Sequence, residues 1–446
     1  MASAAEQLAA NLNFGAFNKA TELKKRLWFT LGALIIYRLG TYIPMPGIDP
    51  VILKDIFRQQ AGGILGMFNM FAGGALGRMT IFALNIMPYI SAAIIMQLMT
   101  SISPSMSQLK KEGAQGQKKI NQYTRYLTVL IAAMQAYGMA VGIEGMRGSG
   151  GSAVINPGGF FRFTAVITLV GGTMFLMWLG EQITARGVGN GISLIIFAGI
   201  VAELPSALAG TLELGRTGAI STGIIMAILI MVVFVIYGIV FVERGQRRLV
   251  VQYPKRQQGN KMYGGENSHL PLKLNTSGVI PLIFASSLLL MPTTVISFMA
   301  NSGPEWLTTV SSLLGRGQPS YLIIYSALIA FFAFFYTAVV FNPEETADNL
   351  KKNGGFIPGI RPGKNTAEYL EYVTTRLTVV GAIYLVAVAL LPEILISNWS
   401  VPFFFGGTSL LIVVTVTMDT VAQVQSYMLA HQYEGLIKKS RLKGRR

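Results

Sequence analysis

The chain has 446 residues, of which 52% are hydrophobic and only 13% are charged. Soluble domains carry about 25% charged residues, so this deficit points to a polytopic membrane protein. The absence of cysteine excludes disulfides and thiolate metal sites. The two histidines, His269 and His431, fall in or near basic polar stretches, where no metal site is expected.

Residues 1–26 are polar or mixed and close on Lys24, Lys25 and Arg26. No small-residue cleavage site follows a short apolar core, so the stretch reads as a cytosolic amphipathic lead-in, not as a secretory signal. A helix needs about 20 mostly apolar residues to cross the hydrocarbon. Ten stretches qualify: 27–46, 76–103, 123–146, 160–184, 189–208, 218–242, 275–299, 319–341, 374–395 and 404–429. The weakest is 189–208, which ends at Glu203 and Pro205. The first carries Arg38 at its middle.

Lysine and arginine in the connections set the orientation. With the N-terminus in the cytosol, that side also holds Lys110, Lys111, Lys118, Lys119, the run from Arg244 to Lys273, the run from Lys351 to Arg376, and the tail from Lys438 to Arg446. The far side holds scattered charges such as Lys54, Arg58, Arg147 and Arg316. Both termini are therefore expected in the cytosol. If the ten spans form two halves of five, the odd number inserts the second half from the opposite side, a plan common among transporters and channels.

Residues 64–73, ILGMFNMFAG, are long enough for about three helical turns, roughly half of the membrane core. Gly73, Gly74 and Gly77 then favour a break before a long helix over 76–103. A half-helix in the membrane leaves backbone groups unsatisfied unless protein or water surrounds it. Two readings stay open: a movable stopper in an outer cavity, or a re-entrant helix at the outer interface.

Two polar connections are long. In 243–274, RRLVVQY reads as a short strand and GNKMYGG as a turn, giving a basic hairpin in the cytosol. In 342–373, NPEETADNLKKNG reads as a helix with Asn342 before Pro343 and a glycine stop, and GIRPGK as an exposed turn holding Arg361. Basic cytosolic loops attract anionic lipid on grounds of topology alone. Their length and punctuation also suit docking to something acidic or phosphate-rich, such as ribosomal RNA or an acidic protein face.

Asp419 lies in the last span, where a charge costs about 2.5–3.5 kcal/mol at the membrane centre. Arg38 is a candidate partner for it, or snorkels to the interface. GIRPGK has the wrong spacing for a phosphate-binding loop, and Asn365 stands where such a loop needs Ser or Thr. No paired carboxylates or Ser–His arrangement falls inside the spans. The residues thus point to a non-enzymatic membrane protein without a cofactor, with a small-solute secondary transporter as the alternative.

Taken in order, GGALGRMTIFALNIMPYISAAIIMQLM, TMFLMWLGEQIT, GNGIS, VFVERGQRR, SGVIPLIFASS, FNPEETADNLKK, FIPGIRPG and PFFFGGTSLLI resemble the SecY family of protein-conducting channels, collinearly from about Lys24 to Gln432. The resemblance implies an all-α polytopic membrane protein: ten transmembrane helices in two inverted halves of five around an hourglass pore, with a short plug helix. The halves would be 27–208 and 209–429, between a cytosolic segment 1–26 and a basic tail 430–446. The plug would fall at about 62–73, with Ile64, Leu65, Met67, Phe68, Asn69, Met70 and Phe71 as its body. By motif, the family's aliphatic pore ring falls on Ile86, Ile90, Ile192, Ile196, Ile283 and Ile412. The lateral gate implies Gln97, Ser286 and Ser287, with Pro281 and Pro292 permitting bending. Arg247, Lys255, Arg256 and Arg361 would dock the SecA motor ATPase or a ribosome. The implied partners are SecE, SecG, SecA, the ribosome through its rRNA, unfolded preproteins with their signal sequences, and anionic lipid. The implied setting is the bacterial inner membrane. The implied role is to pass unfolded polypeptides across it and to release apolar segments sideways into lipid.

Overall fold

A computed structural model describes residues 21–53, 69, 72–145, 147–148, 151–218, 221–253, 256–258, 261–263, 267–299, 318–399 and 407–443. Helices dominate. In chain order they are α1 (Thr21–Gly40), α2 (Met87–Ile102), α3 (Pro104–Lys111), α4 (Ala114–Gly145), α5 (Gly159–Arg186), α6 (Gly191–Arg216), α7 (Thr222–Arg244), α8 (Ile280–Met299), α9 (Pro319–Val340), α10 (Pro343–Lys352), α11 (Lys364–Trp399) and α12 (Gly407–Lys443). The strands are β1 (Arg147–Gly148) with β2 (Gly151–Ser152), and β3 (Gln246–Gln252), β4 (Arg256–Gln258), β5 (Lys261–Tyr263) and β6 (Asn267–Lys273), paired as β1–β2, β3–β6 and β4–β5.

A helix overlaps each of the ten predicted stretches. Among the described residues, seven helices are long and apolar enough to cross a membrane: α4, α5, α6, α7, α9, α11 and α12. The apolar parts of α2 and α8 are shorter, and α1 opens on Glu22, Lys24, Lys25 and Arg26. Many outward-facing side chains on these helices are large and apolar, among them Phe234, Phe241, Ile323 and Ile383. A surface of that kind belongs against lipid. The chain is a multi-pass membrane protein.

The helix expected over 76–103 begins only at Met87. Residues 72–86 run instead through successive turns, with left-handed backbone at Gly73, Gly74, Met79 and Asn85. No helix tolerates four such residues. Tertiary contacts hold the turns open: Met45 N donates to Met79 O at 2.9 Å, and Ile81 N donates to Ile43 O at 3.1 Å. Phe82 stacks between Tyr37 and Phe175, with ring centroids 6.3 and 5.8 Å apart. Pro88, which has no N–H to lose in a first turn, then starts α2.

A second departure is α6, which does not stop at Glu203 but runs through Pro205 to Arg216. The Ser206 hydroxyl donates to Glu203 O at 2.8 Å beside the proline, the kind of side-chain bond that lets membrane helices keep a proline. A third is the expected GNKMYGG turn, whose Lys261–Tyr263 portion is strand β5. The asparagine cap was read correctly: Asn342 Oδ1 accepts from Glu344 N and Glu345 N at 3.1 and 3.3 Å, and α10 ends before Gly354 at φ +74°.

One large apolar cluster fills the centre, drawing on α1, the turns 72–86, α2, α4, α5, α6, α7, α8, α9, α11 and α12. Glycines permit the closest crossings. At Gly172 on α5 a Cβ would strike the Ile81 carbonyl, and at Gly191 on α6 it would strike the Gly180 carbonyl. A separate cluster lies in the polar connections, where Leu249 and Leu272 of the β3–β6 hairpin pack with Ala347 of α10, Ile357, and Ala367, Leu370, Val373 and Leu377 of α11. A third joins Leu23 on α1, Val188 and Met428 on α12.

Candidate functional site

The six isoleucines singled out from sequence come from four separate stretches of chain, and all of them belong to the central cluster or pack against it. Ile86 and Ile412 are fully buried, Ile196, Ile90 and Ile283 nearly so, and Ile192 is half-buried against the same cluster. The elements that carry them are packed in pairs: α2 against α8, and α6 against α12.

A vestibule of mixed polar and apolar lining lies beside this cluster. It has a volume of about 480 Å³ and is lined by Asn190, Ser193, Ser277, Gly278, Val279, Ile280, Val416, Asp419, Thr420, Ala422, Gln423 and Ser426. Three of these sit one helical turn from a cluster isoleucine on the same helix: Ser193 from Ile196, Ile280 from Ile283, and Val416 from Ile412. One turn is about 5.4 Å. A mouth bearing hydroxyl, amide and carboxylate side chains among apolar ones therefore lies within one turn of the branched aliphatic side chains on three helices. Asp419 is exposed in the vestibule wall, and its charged neighbours are Lys273 and Glu243. It is not paired with Arg38. That guanidinium is taken by the Gly73 carbonyl at 2.7 Å and the Tyr42 hydroxyl at 3.0 Å.

The rim of the vestibule is tied across the chain. Gly189 N donates to Gln423 Oε1 at 2.9 Å, and Val188 N donates to Thr30 Oγ1 at 3.0 Å. Asn190 Oδ1 caps α6 by accepting from Ile192 N at 3.1 Å. At the start of α8, buried Asn275 donates to Glu243 Oε1 at 2.7 Å and to Gly278 O at 3.1 Å. None of these partners is visible in the sequence, although the GNGIS stretch flags the position of the Asn190 cap.

Between α2 and α8, Ser287 Oγ donates to Met87 Sδ at 3.5 Å, and Ser286 Oγ turns back to Ile283 O at 3.0 Å. Both serines are buried, and Gln97 is half-buried on α2. Of the expected plug residues, Asn69 is described: its Oδ1 accepts from Gly77 N at 2.6 Å. Ile64, Leu65, Met67, Phe68, Met70 and Phe71 lie outside the described residues.

On the polar side, Arg247 is exposed on β3 and Arg361 is exposed in the turn before α11. Arg256 lies on β4, and Lys255 is outside the described residues. The two long connections, read as separate loops from sequence, form one unit. Gln252 N donates to Phe356 O at 2.9 Å, and Phe356 N donates back to Gln252 O at 3.0 Å. Gly355 fits against Val251 and Tyr253, where a side chain would crowd both. The Arg361 turn is therefore carried on the same small core as the hairpin. Thr366 Oγ1 closes it by donating to Arg361 O at 3.0 Å.

Comparison with known proteins agrees with this architecture. The SecY family model matches residues 80–421. The chain is 57% identical over 424 residues to the protein translocase subunit SecY of Escherichia coli strain K12, covering 95% of this chain and 96% of that protein. Among solved structures, a protein-conducting channel superposes with a TM-score of 0.68 at 18% identity, covering 91% of this chain and 92% of that one. Sec61 in a canine ribosome–channel complex superposes at 0.64 and 17% identity, with the same coverage. At those identities the structural likeness speaks for the fold, while the sequence match carries the family: this chain belongs to the SecY family.

Proposed function

We propose that this chain is the central pore subunit of a protein translocase, passing unfolded polypeptides across the bacterial inner membrane and releasing apolar segments sideways into lipid. The observation that carries the reading is the vestibule with its hydroxyl, amide and carboxylate side chains, backed within one turn by buried isoleucines on α6, α8 and α12. Branched aliphatic side chains bind no ion and shed water, so a constriction made of them seals by dewetting. It also yields to a passing chain, because rotating side chains breaks no hydrogen bond. Ile86, Ile90, Ile192, Ile196, Ile283 and Ile412 form this waist in the proposal. A small-solute transporter would instead need carboxylates or amides at the midplane.

The proposed architecture is ten crossings in two inverted halves, 27–208 and 209–429, with 1–26 and 430–446 in the cytosol. The plug is proposed at about 62–73, on the outer side. The lateral gate is proposed between α2 and α8, with Gln97, Ser286 and Ser287 as its polar residues. The Ser287–Met87 contact is weak, as a seam that parts repeatedly requires. The hairpin and α10 unit, with Arg247 and Arg361 exposed on it, is the proposed docking face for the SecA motor and for ribosomal RNA, and Lys255 and Arg256 of the same connection are proposed to join them. Sec61, a structural neighbour, was solved on a ribosome, which supports the second of these. SecE and SecG are the proposed accessory subunits. Energy would come from the docked partner.

The test is translocation in vesicles. The chain, reconstituted with SecE and given SecA, ATP and an unfolded precursor, is expected to render the precursor protease-resistant until detergent is added. A precursor that stays fully digestible under these conditions would contradict the reading.

A further inference from the structure

Two arginines, 40 positions apart, converge on one backbone oxygen. Arg38 Nη1 donates to Gly73 O at 2.7 Å, and Arg78 Nη2 donates to the same oxygen at 2.9 Å. Both guanidinium groups also lie over the ring of Tyr42, at 5.0 and 4.2 Å from its centroid. Two cations this close repel one another. The carbonyl lone pairs, the Tyr42 hydroxyl and the ring face offset that repulsion. The backbone is shaped for the contact. Gly73 and Gly74 are left-handed at φ +62° and +79°. A Cβ on Gly73 would lie 3.0 Å from Gly199 Cα on α6, and one on Gly74 would lie 2.5 Å from Glu203 Oε1.

Gly73 heads the turns 72–86, which are fixed along their length and end on Ile86 in the waist. A turn segment has no internal helix ladder to set its position, so its anchors set it. From this geometry we infer that Arg38 and Arg78 are positioning residues: their shared grip on the Gly73 carbonyl fixes the turns that place Ile86 in the seal. The inference rests on the waist reading and goes beyond it by assigning a role to two charged side chains outside the waist. Either arginine alone still holds the oxygen, so the two are redundant.

The test uses the full chain with its accessory subunits in phosphatidylethanolamine–phosphatidylglycerol vesicles, read as resting potassium leak alongside the thermal unfolding midpoint. Arg38→Gln and Arg78→Gln alone are expected to raise leak about twofold or less, and the double variant about tenfold, because partners sharing one acceptor are non-additive. Arg38→Gln combined with Arg78→Lys is expected to restore most of the seal. Unfolding midpoints should stay near that of the parent. Ile86→Gly serves as the internal reference. If it leaks and the double glutamine variant does not, the positioning role is wrong and the waist stands. If Ile86→Gly is tight, the waist reading itself fails. Leak that tracks a collapsed midpoint, with no rescue by lysine, would assign the arginines a general packing role and overturn the inference.

Discussion

Truncating Leu370 to alanine should unfasten the cytosolic unit while leaving the membrane helices intact. Leu370 is fully buried on α11 among Leu249, Leu272, Ala347 and Ile357. The substitution removes three carbons, worth about 0.8 kcal/mol each in transfer free energy. The residual cavity brings the cost to about 3 kcal/mol, within the range of leucine-to-alanine changes in cores. That cost falls on a small core distinct from the central cluster. It therefore lowers the free energy of local opening rather than of global unfolding. At 1.4 kcal/mol per decade, the open population rises about 100-fold. The clearest reporters are the amides of Gln252 and Phe356, which bond reciprocally across the joint between the two connections. Their hydrogen exchange should speed up by about that factor, while amides in α4 and α5 keep their protection. SecA-driven translocation should fall as the Arg361 turn loses its support. Unchanged exchange at Gln252 and Phe356, or equal loss throughout the helices, would refute the claim that the two connections share one separable core.

Other outcomes follow from the same geometry. Arg361→Glu reverses an exposed charge, so stability should shift by no more than about 0.5 kcal/mol while SecA-driven translocation drops sharply; normal translocation would return Arg361 to a purely topological role. Gly172→Ala forces a Cβ into the Ile81 carbonyl and should cost about 1–3 kcal/mol, seen as a lowered unfolding midpoint in detergent. Asn342→Ala removes the acceptor for two amides at the start of α10 and should cost about 1 kcal/mol, read as faster exchange at Glu344 and Glu345.

The apolar runs and the basic connections made most helices, the hairpin and α10 legible, because hydropathy and capping are local properties. What escaped was set by distant partners. Residues 72–86 are apolar enough for a helix, yet Met79 and Asn85 are held left-handed in turns bonded to the 43–45 stretch. Arg38 was weighed against Asp419 because sequence shows carboxylates; its acceptor is a backbone carbonyl, which no residue letter records. The union of the two cytosolic connections depends on Gln252 meeting Phe356 through main-chain bonds, which carry no residue-type signal. The isoleucines proposed to form the waist are singled out only by family motifs. Hydropathy alone does not separate Ile412 in the centre from Ile383, which faces outward.

The most direct test places a photoreactive side chain at Ile86 or Ile412 and halts a precursor midway with a tightly folded C-terminal domain. If the polypeptide passes through the isoleucine waist, both positions should crosslink to the arrested chain, and a probe at outward-facing Phe234 on α7 should not. Crosslinks from Phe234 with none from Ile86 or Ile412 would put the path elsewhere and contradict the account.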